Sequence, residues 1–379
     1  MNKNLDFSLV ENWIDKSCRA ASGGNAQPWA VSYQIINRCI AFELSIDSIY
    51  KSNRSAMDIK GIASLMSLGC FSCYLIEVAA YDGFILSERV FVDADNYLDC
   101  SVRLLFTESE FAQSVWSESV LSSRTTDRYS YKKTILPESL KQKIQKVTEK
   151  YSDVQLHEVD RTQNWLFDNL AVLEKIRWIK KVFLKSMLDE ISFTKNQENS
   201  KIPQNQLGVS WLDQKVLLFF SRYVESALVI LKIGVYKLPI VKTMQLFKKN
   251  CAAFYFLASK TNDALSVFEF GLCFQALWLE FHSHGISFQP NGIGLVALAY
   301  WHQPEAYQFT DDEAKAIAQV TETLQKQASI DLKKLVIGFR VGYPTQQAKH
   351  SPRKKVIAKE QKNLFELLQR SDLWGHINS

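Results

Sequence analysis

Three features of the sequence predict an α+β fold made of two similar halves in one chain. Short runs that alternate apolar and polar residues, the mark of half-buried strands, are interleaved with two long apolar helical stretches, residues 58–80 and 262–285. The order of elements in residues 1–115 begins again from 116, so the chain divides into a first half, 1–115, and a second half, 116–379. One segment of the second half, about 196–250, has no counterpart in the first and reads as an insertion.

Taken in order, residues 7–20 form an amphipathic helix, followed by the loop "CRAASGGNAQPWAV" from Cys18 to Val31. "AVSYQII" and "CIAFELSI" are strands turning at Asn37 and Arg38. The helix from Asp58 to Ala80 stops at "YDG", where Gly83 suits a helix end. "FILSERVFV" and "CSVRLLF" are two further strands. In the second half, "SVWSESVLSSRTTDRYSY" gives a helix and then a basic loop, and a helix opens near Pro137. "DVQLHEV" is a strand, and the residues from Asn164 to Ile191 read as one long helix. The strand "CAAFYFLAS", an apolar helix ending at Gly285, a helix near 311–328 and the strand "KLVIGFRVG" close the unit.

A 379-residue chain that is 47% apolar and 22% charged can bury a large core without disulfides or a structural metal. Its formal charge of +5 suits an anionic ligand without demanding nucleic acid, and no aromatic-interleaved basic module accompanies it. Seven cysteines in no framework spacing and a polar N-terminus lead to a cytoplasmic protein as the expectation. Cys70 and Cys73 lie inside an apolar helix and read as core. His282 and His284 read as capping or packing residues rather than metal ligands. The insertion is apolar but broken by Arg222, Glu225, Lys232 and Lys237, so it falls short of a bilayer span and reads as a helical lid or packing arm rather than a membrane anchor.

Two basic elements stand out. Arg124 and Arg128 flank Thr125, Thr126 and Asp127, a set that suits phosphate oxygens and equally describes a solvated basic loop. Arg340 ends a central strand, where it either reaches solvent or meets an anion. Neither a P-loop nor a dinucleotide fingerprint accompanies them, and G-x-S-x-G is absent, so the chain offers anion sites without an evident nucleophile.

"SGGNAQPW" resembles the S-x-x-N-x-Q-P-W loop of the FMN-dependent nitroreductase-like family, and "SSRTTDRYSY" resembles its R-x-S-x-R phosphate loop with Thr126 in the serine place. "DIKGIASLMSLGC" is similar to the helix of the Acg-like branch that opens on Asp and Gly and carries S-L-G, matching at Asp58, Gly61, Ser67, Leu68 and Gly69, although Ile62 stands where arginine is common. "GLCFQALWLEFHSHGISFQPNG" and "VIGFRVGYP" resemble the family's late helix, flavin-side loop and arginine strand, and the insertion falls where Acg-like proteins carry a lid.

The resemblance implies two pseudo-symmetric halves packed around one FMN site, so that a monomer suffices for it. It implies that Arg124, Thr126, Arg128 and Arg340 hold the FMN phosphate, that Ser22 and Asn25 meet the polar edge of the ring, and that Gln27, Pro28 and Trp29 fix their loop. Pro290, Asn291 and Gly292 would bring backbone amides to the redox-active part of the ring. The implied activity is hydride transfer through FMN to or from a conjugated small molecule, with NAD(P)H as a candidate donor. Two alternatives stand beside it: a tailoring dehydrogenase or oxidase of a biosynthetic intermediate, and a flavoprotein that sequesters FMN under a closed lid.

Overall fold

The computed structural model describes residues 6–194 and 198–369. Its first helix, Phe7–Ser17, is capped by the Asp6 carboxylate, which accepts from the Ser8 and Leu9 amides, and it buries Val10, Trp13 and Ile14. Strands β1 (Trp29–Ile36) and β2 (Cys39–Ile46) follow as a hairpin. Asn37 takes the positive φ (54°) that the two-residue turn requires. Strands β3 (Phe84–Val92) and β4 (Ser101–Glu108) extend the hairpin into an antiparallel sheet ordered β1-β2-β4-β3.

The second sheet is assembled from β5 (Tyr131–Lys132), β6 (Val154–Glu158), β9 (Ala253–Ser259), β10 (Ser287–Asn291) and β11 (Val336–Pro344); β7 (Ile191–Ser192) and β8 (Ile202–Pro203) pair separately. Its order is β10-β11-β9-β6, with β5 paired to the far end of β11. The chain then returns to the first sheet, where β12 (Lys359–Glu360) lies parallel to β1. Helix Leu364–Gln369 buries Leu364 and Leu368 beside Ala41 of β2. Residues 359–369 therefore complete the first sheet.

Between the sheets run the two apolar helices, Ile62–Tyr81 and Ala264–Ser283. Both are long and apolar enough to cross a bilayer, yet 78% and 89% of their most apolar windows are buried inside the fold. They cross at glycines: a Cβ on Gly69 would lie 2.1 Å from the Phe268 carbonyl oxygen, and one on Gly271 would lie 2.0 Å from that of Met66. Cys70 Sγ donates to the Gly271 carbonyl at 3.3 Å in the same contact, so Cys70 is core, as is Cys73. Cβ-free backbones at the crossing thus set the separation of the two layers.

Two elements differ from the sequence expectation. The helix expected from Asp58 begins at Ile62, because Lys60 and Gly61 have φ of +54° and +90° and cannot continue a right-handed turn. The long helix after Asn164 breaks at Lys180 into Asn164–Ile179 and Lys181–Asp189. Lys180 is extended there, and its ammonium donates to Glu313 at 2.7 Å and to the Gln308 carbonyl at 2.9 Å. The insertion is helical, with helices Trp211–Arg222, Val224–Ile230 and Lys237–Lys248.

Candidate functional site

A cavity of about 340 Å³ lies at the junction of the two layers, within the roughly 300–1,000 Å³ typical of small-molecule sites. Three loops reach it. Ser22 and Asn25 come from the loop after the first helix, Arg124, Thr126 and Arg128 from the basic loop, and Pro290, Asn291 and Gly292 from the end of β10. Residues about a hundred positions apart therefore face one volume. Phe274, Trp278, Leu295 and Ile337 supply apolar wall, the first two from the helix Ala264–Ser283.

Arg340 is placed elsewhere. It is fully buried and does not line the cavity; its guanidinium donates to Gln289 Oε1 at 2.6 Å and to the carbonyls of Asn250 (3.2 Å) and Tyr129 (2.6 Å), and it stacks over the Tyr131 ring. Gln289 does line the cavity, so Arg340 bears on the site through that amide.

The two arginines of the basic loop also part company. Arg128 donates toward the Gln206 carbonyl at 3.4 Å and lies within the field of Glu190. Burial pulls its pKa down to about 10. Arg124 instead turns to the loop after the first helix, where its Nε and Nη2 both donate to the Arg19 carbonyl. Its guanidinium packs 4.4 Å from the centre of the Trp278 ring. The remaining nitrogen, Nη1, is buried without a hydrogen-bond partner.

Around that nitrogen gathers a set of cations that the sequence did not announce. Arg353, from the basic tail, donates to the same Arg19 carbonyl at 3.3 Å and to Asn25 Oδ1. Arg19 itself lies 3.2 Å from His350 Nδ1. Burial lowers the proton affinity of His350 and Arg353, and neighbouring arginines lower it further, Arg19, Arg124 and Arg353 acting on His350 and Arg124 on Arg353. Among the described residues no carboxylate forms an ion pair with Arg19, Arg124 or Arg353. A buried guanidinium with a spare N–H, flanked by two half-buried arginines and with no counter-anion, has the chemistry of an anion site.

The N-x-Q-P-W loop is held from two sides. Asn25 Nδ2 donates to the carbonyls of Asn199 (3.3 Å), Lys201 (3.2 Å) and Pro352 (3.0 Å). Gln27 Nε2 donates to the Asn199 carbonyl at 2.6 Å and its Oε1 accepts the Lys354 amide at 2.8 Å. Both residues have positive φ, 64° and 51°, so the loop depends on these ties to hold that backbone. Gln27 is buried and acts as a loop fixer, whereas Asn25 both lines the cavity and locks its neighbours. Ser22 Oγ accepts the Gln27 amide at 3.1 Å.

Two carboxyl groups share the wall. Asp58 accepts from the Ser64 amide (3.1 Å), the Ser64 hydroxyl (2.5 Å) and the Tyr50 hydroxyl (3.3 Å), which anchors the start of the helix Ile62–Tyr81. Glu190 accepts from Ser55 Oγ at 3.2 Å and packs where a Cβ on Gly24 would come within 2.5 Å of its side chain. Burial raises the pKa of each, with Ser64 opposing it at Asp58 and Arg177 at Glu190. His282 accepts or donates at Ser123 Oγ (2.8 Å) and His284 at Lys143 and the Glu280 carbonyl, so both are packing residues outside the cavity.

The chain matches no family model, and no curated protein matches it. Among solved structures, the FMN-dependent nitroreductase NfnB from Mycobacterium smegmatis in complex with NADPH is 14% identical, over 62% of this chain and 93% of that one, with a TM-score of 0.33. A nitroreductase with bound FMN from Desulfitobacterium hafniense DCB-2 is 10% identical, over 63% of this chain and 95% of that one, also with a TM-score of 0.33. At that TM-score the likeness decides nothing about activity, which rests on the cavity's own residues.

Proposed function

We propose that the cavity binds FMN between the two halves of the chain and that the protein is an FMN-dependent oxidoreductase of the nitroreductase-like kind, with the Acg-like arrangement of two pseudo-symmetric halves and a lid. The observation that carries this reading is the cluster of buried Arg124, half-buried Arg19 and Arg353, and exposed His350 opening on an apolar-walled volume, with Arg124 Nη1 unpartnered. A ligand with a phosphate at one end and a flat aromatic system at the other satisfies both parts. Riboflavin lacks the anion, and a free nucleoside diphosphate lacks enough apolar surface for Phe274, Leu295 and Ile337.

In this reading Arg124 and Arg353 bind the phosphate, Thr126 lies beside it, and Trp278 supports the Arg124 guanidinium from below. Arg128 is tied to the Gln206 carbonyl and lies in the field of Glu190, so in this reading it serves the wall of the ring or substrate rather than the phosphate. Ser22 and the Pro290–Gly292 turn border the ring, and Asn25 holds the two segments that close over it. Bound FMN supplies hydride transfer to or from a conjugated acceptor, with NAD(P)H as the donor we favour. Glu190, raised toward its protonated form and bonded only lightly through Ser55, is the group able to hold a proton at the wall.

Sequestration of FMN without turnover is the second reading. It is favoured by the clamp of residues 199–201 and 352–354 on Asn25 and Gln27, which would keep nicotinamide from the ring. The test is one preparation with two readouts. Purified protein should bind FMN near one per chain and bind riboflavin far more weakly; colourless protein that gains no thermal stability from added FMN sinks both readings. Anaerobic bleaching by NADPH or NADH then supports turnover, whereas photoreduction without either supports sequestration.

A further inference from the structure

The insertion carries a surface that the flavin reading does not use. Its inner residues Phe220, Ala227, Leu228 and Leu231 pack on Leu184 and Leu188 of the helix Lys181–Asp189. Its outer residues have no such cover. Trp211, Leu212, Tyr223, Val229, Ile233 and Leu238 are each more than half exposed, and Ile233 reaches 79%. More than half of the large exposed apolar side chains of the described residues fall between Val209 and Val241, a concentration that a solvated surface does not require.

The apolar residues form one face. Leu212, Val216 and Phe219 recur at i, i+4 and i+7 on the helix Trp211–Arg222, and Tyr223 packs against Phe219 with ring centroids 5.2 Å apart and planes inclined at 41°. Lys242 donates to Asp213 at 2.7 Å, which brings the helix Lys237–Lys248, with exposed Leu238 and Val241, alongside the first. Gly234, at φ +113° with nothing within 4 Å of a Cβ, bends the chain between Ile233 and the last helix.

Charge identifies what this face meets. Residues 208–249 contain seven Lys and Arg against Asp213 and Glu225, a net +5 that equals the formal charge of the entire chain, so the remainder is neutral. Both acids are already paired, Asp213 with Lys242 and Glu225 with Lys181. Lys215, Arg222, Lys232, Lys237 and Lys249 are exposed beside the apolar residues. A second copy of the same face would set like charges against one another, which disfavours a symmetric dimer through it. Apolar and aromatic side chains rimmed by unpaired lysines fit the boundary of an anionic bilayer, where the former enter the acyl region and the latter meet headgroups.

We propose that the helical arm 209–249 docks the protein in the plane of an anionic membrane surface, without spanning it. The arm is joined to the cavity at its root: Arg128 bonds the Gln206 carbonyl, and a Cβ on Gly208 would lie 2.5 Å from the Arg128 carbonyl oxygen. Docking would therefore set the cavity wall beside the bilayer, although the docking itself stands whether or not FMN binds.

The test is co-sedimentation of the full chain with vesicles of phosphatidylcholine alone or with roughly one-third phosphatidylglycerol. The expected result is binding to the anionic vesicles only, lost on raising salt from about 0.1 to about 0.5 M. Lys232→Glu with Lys237→Glu should weaken partitioning at least about tenfold, and Trp211→Ser with Ile233→Ser should do likewise, both at unchanged melting temperature. Protein that stays in the supernatant with both vesicle types, or binds both equally, overturns the proposal. So does a concentration-dependent dimer that Ile233→Ser converts to monomer, which would make the face a self-association surface.

Discussion

Replacing Arg124 by alanine separates a phosphate-binding arginine from a structural one. Two of its nitrogens bond the Arg19 carbonyl and its plane lies 4.4 Å from Trp278, so truncation removes intramolecular contacts as well as any ligand contact. Only the unpartnered Nη1 is free to bind an anion. One hydrogen bond to a charged group contributes about 1.5–3 kcal/mol, which at about 1.4 kcal/mol per decade is roughly 10- to 150-fold in affinity. The intramolecular losses disturb FMN and riboflavin alike, whereas the Nη1 contribution affects FMN alone. Titrating both flavins by quenching of their fluorescence, with wild type and Arg124→Ala, should show the ratio of FMN to riboflavin affinity fall by that factor. Equal weakening of the two flavins would refute the assignment of the phosphate to this cluster, whatever happened to overall stability.

The remaining predictions concern protonation, packing and the loop clamp. Because burial and three arginines hold His350 below its ordinary pKa, a phosphate dianion should raise it again. FMN binding at about pH 7.5, where free His350 is neutral, should then take up part of a proton, and His350→Gln should take up less; calorimetry in buffers of different ionisation heat that shows no difference contradicts the cluster's electrostatics. Gly271→Ala should cost about 1–3 kcal/mol or more by overpacking, since its Cβ would meet the Met66 carbonyl at 2.0 Å, and a denaturant midpoint equal to wild type would be incompatible with the crossing. Asn25→Leu leaves the Asn199, Lys201 and Pro352 carbonyls without their shared donor, so limited proteolysis near residue 200 should accelerate several-fold; an unchanged cleavage rate would show that the clamp does not depend on this amide.

The parts of the fold legible in the sequence were those set by periodicity. Apolar residues at helical spacing marked the helices Ile62–Tyr81 and Ala264–Ser283, and alternation around Asn37 and Arg38 marked the β1–β2 hairpin. The break at Lys180 was not legible, because no Gly or Pro marks it and the partner that Lys180 meets there, Glu313, is distant in the sequence. Nor was β12, whose two exposed residues in a basic tail carry no strand pattern of their own. Arg340 shows the limit of pattern within a legible element. Seven consecutive residues of β11 are buried, so no alternation says which face an arginine there addresses.

At the site, short motifs located loops better than they located contacts. The loops carrying Ser22, Asn25, Arg124, Thr126, Arg128 and Pro290–Gly292 all reach one cavity, but Arg124 bonds the Arg19 carbonyl whereas Arg128 bonds that of Gln206. Arg353 and His350 had no signal at all, since "KHSPRKK" has the composition of a solvated tail. They are drawn in by backbone oxygens: the Arg19 carbonyl receives Arg124 and Arg353 together, and the Pro352 carbonyl receives Asn25. Gathering guanidinium groups around one carbonyl is unfavourable on charge grounds alone, and each buried cation adds a desolvation cost. Their mutual repulsion is offset when an anion shares the cluster, and the binding free energy then stabilises the fold through linkage. In the proposed reading, a bound anion would therefore help hold the tail and the basic loop in place, in addition to the hydrogen bonds that tie Arg353 and Pro352 to the first loop.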